Sequence, residues 1–172
     1  MKNQTIYSYT LLYRFRWGVP GYLVQLLLLA GTLVAVSFPL DLSLHQLLPG
    51  LAVLVLLPVS QFLLFRLFAY AASLKTSLTP DTLFSPWWGA GTTLPLSLGH
   101  FRSAELTVIA GTLCISLGLY VWLPLIYGVS LLAGLLAALL PRVLVLVLSM
   151  RQPAYSRVKY ELRSVAFLRT DG

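Results

Sequence analysis

The stretch LTVIAGTLCISLGLYVWLPLIYGVSLLAGLLAALL (residues 106–140) runs for 35 residues without a charge. About 20 apolar residues in a helix cross the hydrocarbon core of a bilayer, so the stretch is too long for one span and suits two. Pro124 and Gly128 lie near its middle and mark the turn of a helical hairpin. The second arm continues as AALLPRVLVLVL (residues 137–148), with a proline and an arginine side by side. Proline removes a backbone donor. An arginine at the centre of a span costs about 2.5–3.5 kcal/mol on insertion scales. Arg142 therefore needs a physical reason to be there.

Working outward, GYLVQLLLLAGTLVAVSF (residues 21–38) and LLPGLAVLVLLPVSQFLLFRLFAY (residues 47–70) are two more runs of spanning length. The composition agrees. Of 172 residues 58% are hydrophobic and only 10% charged, against about 25% charged in an ordinary soluble domain. The expected fold class is an all-α integral membrane protein with helices at about 21–38, 47–70, 104–123 and 125–150, a loop at 71–103 and a tail at 151–172, together one four-helix membrane domain over residues 1–172.

Basic residues sort to one side of these spans. Lys2, Arg14 and Arg16 precede the first helix. Arg66, Lys75 and Arg102 lie between the ends of helices two and three, and Arg151, Arg157, Lys159, Arg163 and Arg169 follow helix four. The connections at 39–46 and 123–128 carry none. The positive-inside rule then places both termini in the cytoplasm, in a multi-pass protein of a bacterial inner membrane. It also accounts for the net charge of +7 without a nucleic-acid partner. Neither a cleavable signal peptide nor a lipidation motif is visible. Cys114, alone in an apolar run, reads as a small buried hydrophobe.

Trp17, Tyr22, Trp87, Trp88, Tyr120, Trp122 and Tyr127 read as aromatic anchors at the membrane interfaces. In the loop, Ser103 is placed to cap helix three, with Glu105 in its first turn. The head IYSYTLLYRFRW (residues 6–17) and the tail SRVKYELRSVAFLR (residues 156–169) both alternate with period two. Short β elements are expected there, with the two ends either paired on the cytoplasmic surface or each lying along the lipid.

Parts for catalysis are few. There is no His-Glu-x-x-His, Cys-x-x-Cys, Gly-x-Ser-x-Gly or P-loop. His45 and His100 fall on opposite sides of the membrane, and the five acids (Asp41, Asp81, Glu105, Glu161 and Asp171) include no close helical pair. No cofactor or metal is expected. The polar residues inside the spans include Gln25, Ser60, Gln61, Arg66, Thr112, Ser130 and Arg142. In an antiparallel hairpin Arg142 lies level with about residue 110, within reach of Glu105. Three roles for Arg142 stay open: a contact with Glu105, snorkelling to lipid or helix carbonyls, and a substrate or ion site. The candidate polar cluster is Arg142, Glu105, Gln61 and Ser60.

The order of two helices, a Gly/Pro/aromatic loop, a helical hairpin and a β-like tail resembles the small bacterial site-2-protease-like membrane zincins. In that family helix two carries His-Glu-x-x-His before an apolar end, and helix four a Gly-Asp whose aspartate is the third metal ligand. Aligned on FRLF (residues 65–68), LPVSQFLLFRLF (residues 57–68) puts Leu57, Pro58 and Gln61 at the His, Glu and His positions. HFRSAEL (residues 100–106) is similar to the family's entry into helix three, and Pro141-Arg142 falls at Gly-Asp. The resemblance covers about 100 residues and implies a degenerate pseudo-protease without its ligands, in which Gln61 and Arg142 lie within a side-chain length of each other.

The main functional reading is a non-enzymatic polytopic membrane protein that acts through partners, as a subunit, an assembly factor or a regulatory pseudo-protease. The expected partners are membrane lipid and either another protein or further copies of this chain. The alternative is a small oligomeric transporter or channel with Arg142 in its pathway. A third reading is a lipid-acting enzyme using His100, Arg102 and Glu105 at the inner interface.

Overall fold

A computed structural model describes residues 8–41, 44–79, 82 and 85–171. The chain runs through β1 (Ser8–Arg16), α1 (Val19–Ser37), α2 (Leu44–Leu47), a 3-10 segment (Pro49–Val55), α3 (Leu56–Ala71), β2 (Leu96–Ser97), α4 (Leu98–Trp122), α5 (Leu125–Met150), β3 (Arg157–Glu161) and β4 (Ser164–Asp171). Four helical stretches are long and apolar enough to cross a membrane: Val19–Ser37, His45–Ala71, Leu98–Trp122 and Leu125–Met150. The second joins α2, the 3-10 segment and α3. The hairpin falls at the expected place, where the Leu123 amide closes α4 on the Leu119 carbonyl and Pro124 opens α5.

Helix α5 forms the centre of the bundle, with α4, α1 and the 3-10 segment packed round it. Leu131, Leu135 and Ala138 of α5 meet Val53 and Leu57. Helix α1 leans mainly on α5 and buries only Ser37 fully.

The alternating head and tail pair with each other. They form an antiparallel sheet of order β1-β4-β3-β2, in which β1 runs along β4 from Ser8 opposite Asp171 to Arg16 opposite Ser164, with one bulge between Leu11 and Tyr13. Period two sends Val158, Val165 and Phe167 to one face, where they are buried against Phe65, Phe101, Trp87 and Val145. The sheet therefore caps the end of the bundle where α1 and α4 begin and α3 and α5 finish. Both described chain ends lie at that end.

Several local expectations are corrected. Helix α4 starts at Leu98 rather than near residue 104, and its cap is Ser97, whose Oγ accepts from the His100 amide, while Ser103 lies within the helix. Strand β2 pairs with β3 immediately before Ser97 and so fixes the start of the helix. Trp17 and Trp87 are not interface anchors but core residues, covered by the sheet and by the loop folded under the bundle. Cys114 is exposed on the outer face of α4, not buried. Lys2, Asp81 and the first two residues of the alternating head, 6 and 7, lie outside the described residues.

Candidate functional site: a buried arginine cluster

Helical periodicity brings three polar side chains to one point. On α3 the inward positions are Leu57, Gln61, Phe65 and Ala69, four residues apart. On α4 they include Phe101, Glu105, Val108 and Thr112, and on α5 Ala138, Arg142, Val145 and Ser149. Gln61, Glu105 and Arg142 therefore converge between three helices, and each is fully buried.

Arg142 is held on all sides. Its Nη1 donates to Glu105 Oε1 and Oε2, both at 3.0 Å. Its Nε donates to Gln61 Oε1 at 2.8 Å, and its Nη2 donates to the Trp88 carbonyl at 3.0 Å. Tyr160, on β3, donates its hydroxyl to Glu105 Oε1. The sheet and the 85–91 loop thus close the cluster from the capped end.

Taking two ions out of water costs several kcal/mol each, and an ion pair repays that only when further hydrogen bonds satisfy the remaining groups. Gln61, Trp88 and Tyr160 supply those bonds. Burial, then the neighbouring Glu105 carboxylate, hold the Tyr160 hydroxyl well above its ordinary value of 10.0. It stays a neutral donor at any physiological pH.

The loop reaches this point because of one glycine. Gly89 has φ +77°, and a Cβ there would lie 2.7 Å from the Phe62 Cα. The loop can press against α3 only without a side chain at that position. Beside it Trp87 is completely buried, with its ring edge-on to Phe15.

Pro141 explains a second polar contact. It has no N–H, so the carbonyl four residues earlier, that of Ala137, loses its helical donor. Gln25 of α1 supplies one, with its Nε2 at 2.9 Å from the Ala137 carbonyl. Trp17 Nε1 donates to Gln25 Oε1 at 3.1 Å and fixes the amide. Neighbouring helices commonly satisfy backbone freed by proline in this way.

The candidate residues therefore separate. Arg142, Glu105 and Gln61 meet. Ser60 does not join them, because its Oγ donates to the Leu57 carbonyl within its own helix. Arg66 reaches Thr76 Oγ1 and the Ser77 carbonyl, with its guanidinium over the Phe62 ring. Arg102 donates to the Ser149 carbonyl and Oγ. His100 is exposed beside Ser97, so His100, Arg102 and Glu105 face three different environments.

Sequence reasoning left Trp88 and Tyr160 out of the cluster and did not foresee the Trp17–Gln25 contact with Ala137. Trp88 takes part through its backbone and leaves no trace in residue type. Gln25 did leave one, since a proline in a membrane helix calls for a donor at its i−4 carbonyl.

No protein-family model, curated protein or solved structure matches the chain. Among the described residues no group of three or more His, Cys, Asp or Glu side chains converges. A zinc ion in the place that the zincin resemblance implies does not fit the residues present. Leu57 and Pro58 offer no donor, and the Arg142 guanidinium is a cation bonded to Gln61 where the ligands would stand.

Proposed function

We propose that this chain is a non-enzymatic, multi-pass protein of a cytoplasmic membrane that acts by binding a protein partner, as a subunit, assembly factor or regulatory pseudo-protease. The observation that carries the reading is the closure of the Arg142 cluster. Its charges are matched by side chains from α3, α4 and β3 and by the loop backbone, with no face of Arg142 or Glu105 open. A site that works on a substrate keeps an open position, whereas a site filled by its own protein locks helices together. The Arg142–Gln61 bond also supports descent from a zincin whose metal position now holds a guanidinium. The basic residues gathered at the sheet end support a cytoplasmic placement of both termini.

The test is purification from its own membrane in mild detergent followed by native mass spectrometry. The reading expects one protein partner at fixed stoichiometry. A second reading, the oligomeric transporter, is favoured by a cleft of about 260 Å³ between α1, α3 and α5, lined by Tyr22, Gln25, Pro58, Trp88 and Gly134. A homo-oligomer that carries solute flux in proteoliposomes and brings no other protein with it would replace the first reading with the second.

A further inference from the structure

At the sheet end of the bundle, outside the arginine cluster, lies a groove of about 510 Å³. It is bounded by the chain leaving α3, the chain entering α4 and the edge of the sheet. Its charged lining is all of one kind. Lys75 comes from the exit of α3 and Arg157 from β3, and no carboxylate lines the groove. Of the other cations, Arg142 pairs with Glu105 and Arg14 with Glu161. Among the described residues neither Lys75 nor Arg157 is in an ion pair.

Several uncharged polar groups of the groove already have partners within the protein. The Thr93 hydroxyl donates to the Lys75 carbonyl and the Thr92 hydroxyl to the Leu94 carbonyl. Ser97 Oγ serves the His100 amide and ring. The two fixed positive charges are what draws an anion to the groove. Leu74, Leu94, Pro95 and Leu96 form an apolar wall, and Leu94 is 69% exposed at the rim. A small inorganic anion would use the cations and leave that apolar wall and most of the volume unfilled. A ligand with an anionic phosphate and an apolar body uses both.

Position selects the same class of ligand. The groove lies beside the end of α3 and the start of α4, and on the proposed membrane placement, on which this inference rests, that puts it at the level of lipid headgroups. Basic pockets between such helices hold phosphate headgroups. We propose that this groove binds the phosphate headgroup of an anionic phospholipid through Lys75 and Arg157. The inference is independent of whether the chain acts through a protein partner.

The experiment uses the full chain in phosphatidylcholine nanodiscs doped with phosphatidylglycerol, and counts retained lipid by native mass spectrometry. Wild type is expected to retain phosphatidylglycerol over phosphatidylcholine. A charge-assisted hydrogen bond to a bound phosphate contributes about tenfold, so Lys75→Gln with Arg157→Gln lowers that preference by about 100-fold, beyond what loss of surface charge alone does. The control removes the same charge outside the groove, with Lys159→Gln and Arg163→Gln, and keeps the preference. Equal retention of the two lipids by wild type overturns the proposal, and so does an equal loss in both double variants. Inorganic phosphate in excess is the third arm. Retention in its presence supports a lipid site, and complete displacement assigns the groove to a free anion instead. All four residues are exposed, and matched melting temperatures check that the variants fold.

Discussion

Helices α1 and α5 are almost interchangeable as strings of apolar residues, yet they do opposite work. In the apolar window of α1 only 6% of residues are buried inside the protein, against 56% in α5. Helix α5 touches most of the bundle and carries Pro141 and Arg142 at its inner face, both buried. Helix α1 presents Leu23, Leu26 and Leu27 outward, each more than half exposed. Apolar composition reports that a segment suits lipid and says nothing of whether it faces lipid or protein. The polar residues tell the two apart, since a buried arginine demands partners and an outer helix can do without them.

The largest expected effect follows from breaking the α5 side of this contrast. Glu105→Ala leaves Arg142 buried without its counter-charge and costs about 3–5 kcal/mol, read as lost thermal stability in detergent. Replacing both ions, Arg142→Met with Glu105→Leu, restores most of that loss, because well-packed apolar side chains of similar volume commonly match a buried pair. If the double variant is as unstable as Glu105→Ala, the pair is not the unit of stability argued here.

Glycines probe the same contrast by packing. A Cβ at Gly134 of α5 would meet Leu54 Cδ2 at 2.2 Å and Leu57 Cδ1 at 3.0 Å, whereas one at Gly31 of α1 meets nothing within 4 Å. Gly134→Val is expected to destabilise by about 1–3 kcal/mol through overpacking. Gly31→Val should stay within about 0.5 kcal/mol of wild type. Equal effects in thermal unfolding would mean that α1 is packed as tightly as α5.

Tyr160 tests how the sheet seals the α5 cluster. Its hydroxyl titrates well above 10.0 in the folded protein because of burial and of Glu105. A group whose folded value is raised contributes stability that is present below its ordinary value and is lost as pH rises toward the folded one. Melting temperature should therefore fall as pH rises above about 10. Tyr160→Phe costs about 1 kcal/mol at neutral pH and removes this residue's share of the alkaline decline. An unchanged alkaline slope in the variant would assign that decline to other groups.

How much of this was legible follows from where each signal is written. The four apolar helices and the Pro124 turn are carried by runs of residue type, which survive in a one-dimensional reading. Helical rise put Glu105 within reach of Arg142, since antiparallel neighbours set depth, but left that contact as one of three roles; Gln61 beside Arg142 came only from the zincin resemblance. The start of α4 was misplaced because its cap depends on β2 pairing with β3, some 60 residues away in the chain. Trp87 was misread because an aromatic residue in a loop looks the same at an interface and in a core. Trp88 acts through its carbonyl, which every residue has. Serine gave the wrong member of the cluster, because Ser60 can satisfy itself on its own helix while Gln61 cannot.

The smallest effect tests the polar tie between α1 and α5. Gln25 donates to the Ala137 carbonyl because Pro141 cannot, so the value of Gln25 should depend on the proline. In the wild-type background, Gln25→Leu strips that carbonyl of its donor and costs about 1 kcal/mol. With Pro141→Ala, residue 141 regains an N–H that can close the helical bond to Ala137, and Gln25→Leu should then cost only a few tenths of a kcal/mol. The difference is a coupling energy read from the four melting curves of a double-mutant cycle. A coupling near zero would mean that α1 is held by apolar contact with α5 alone. A coupling near 1 kcal/mol would mean that a proline in the central helix positions an otherwise lipid-facing one.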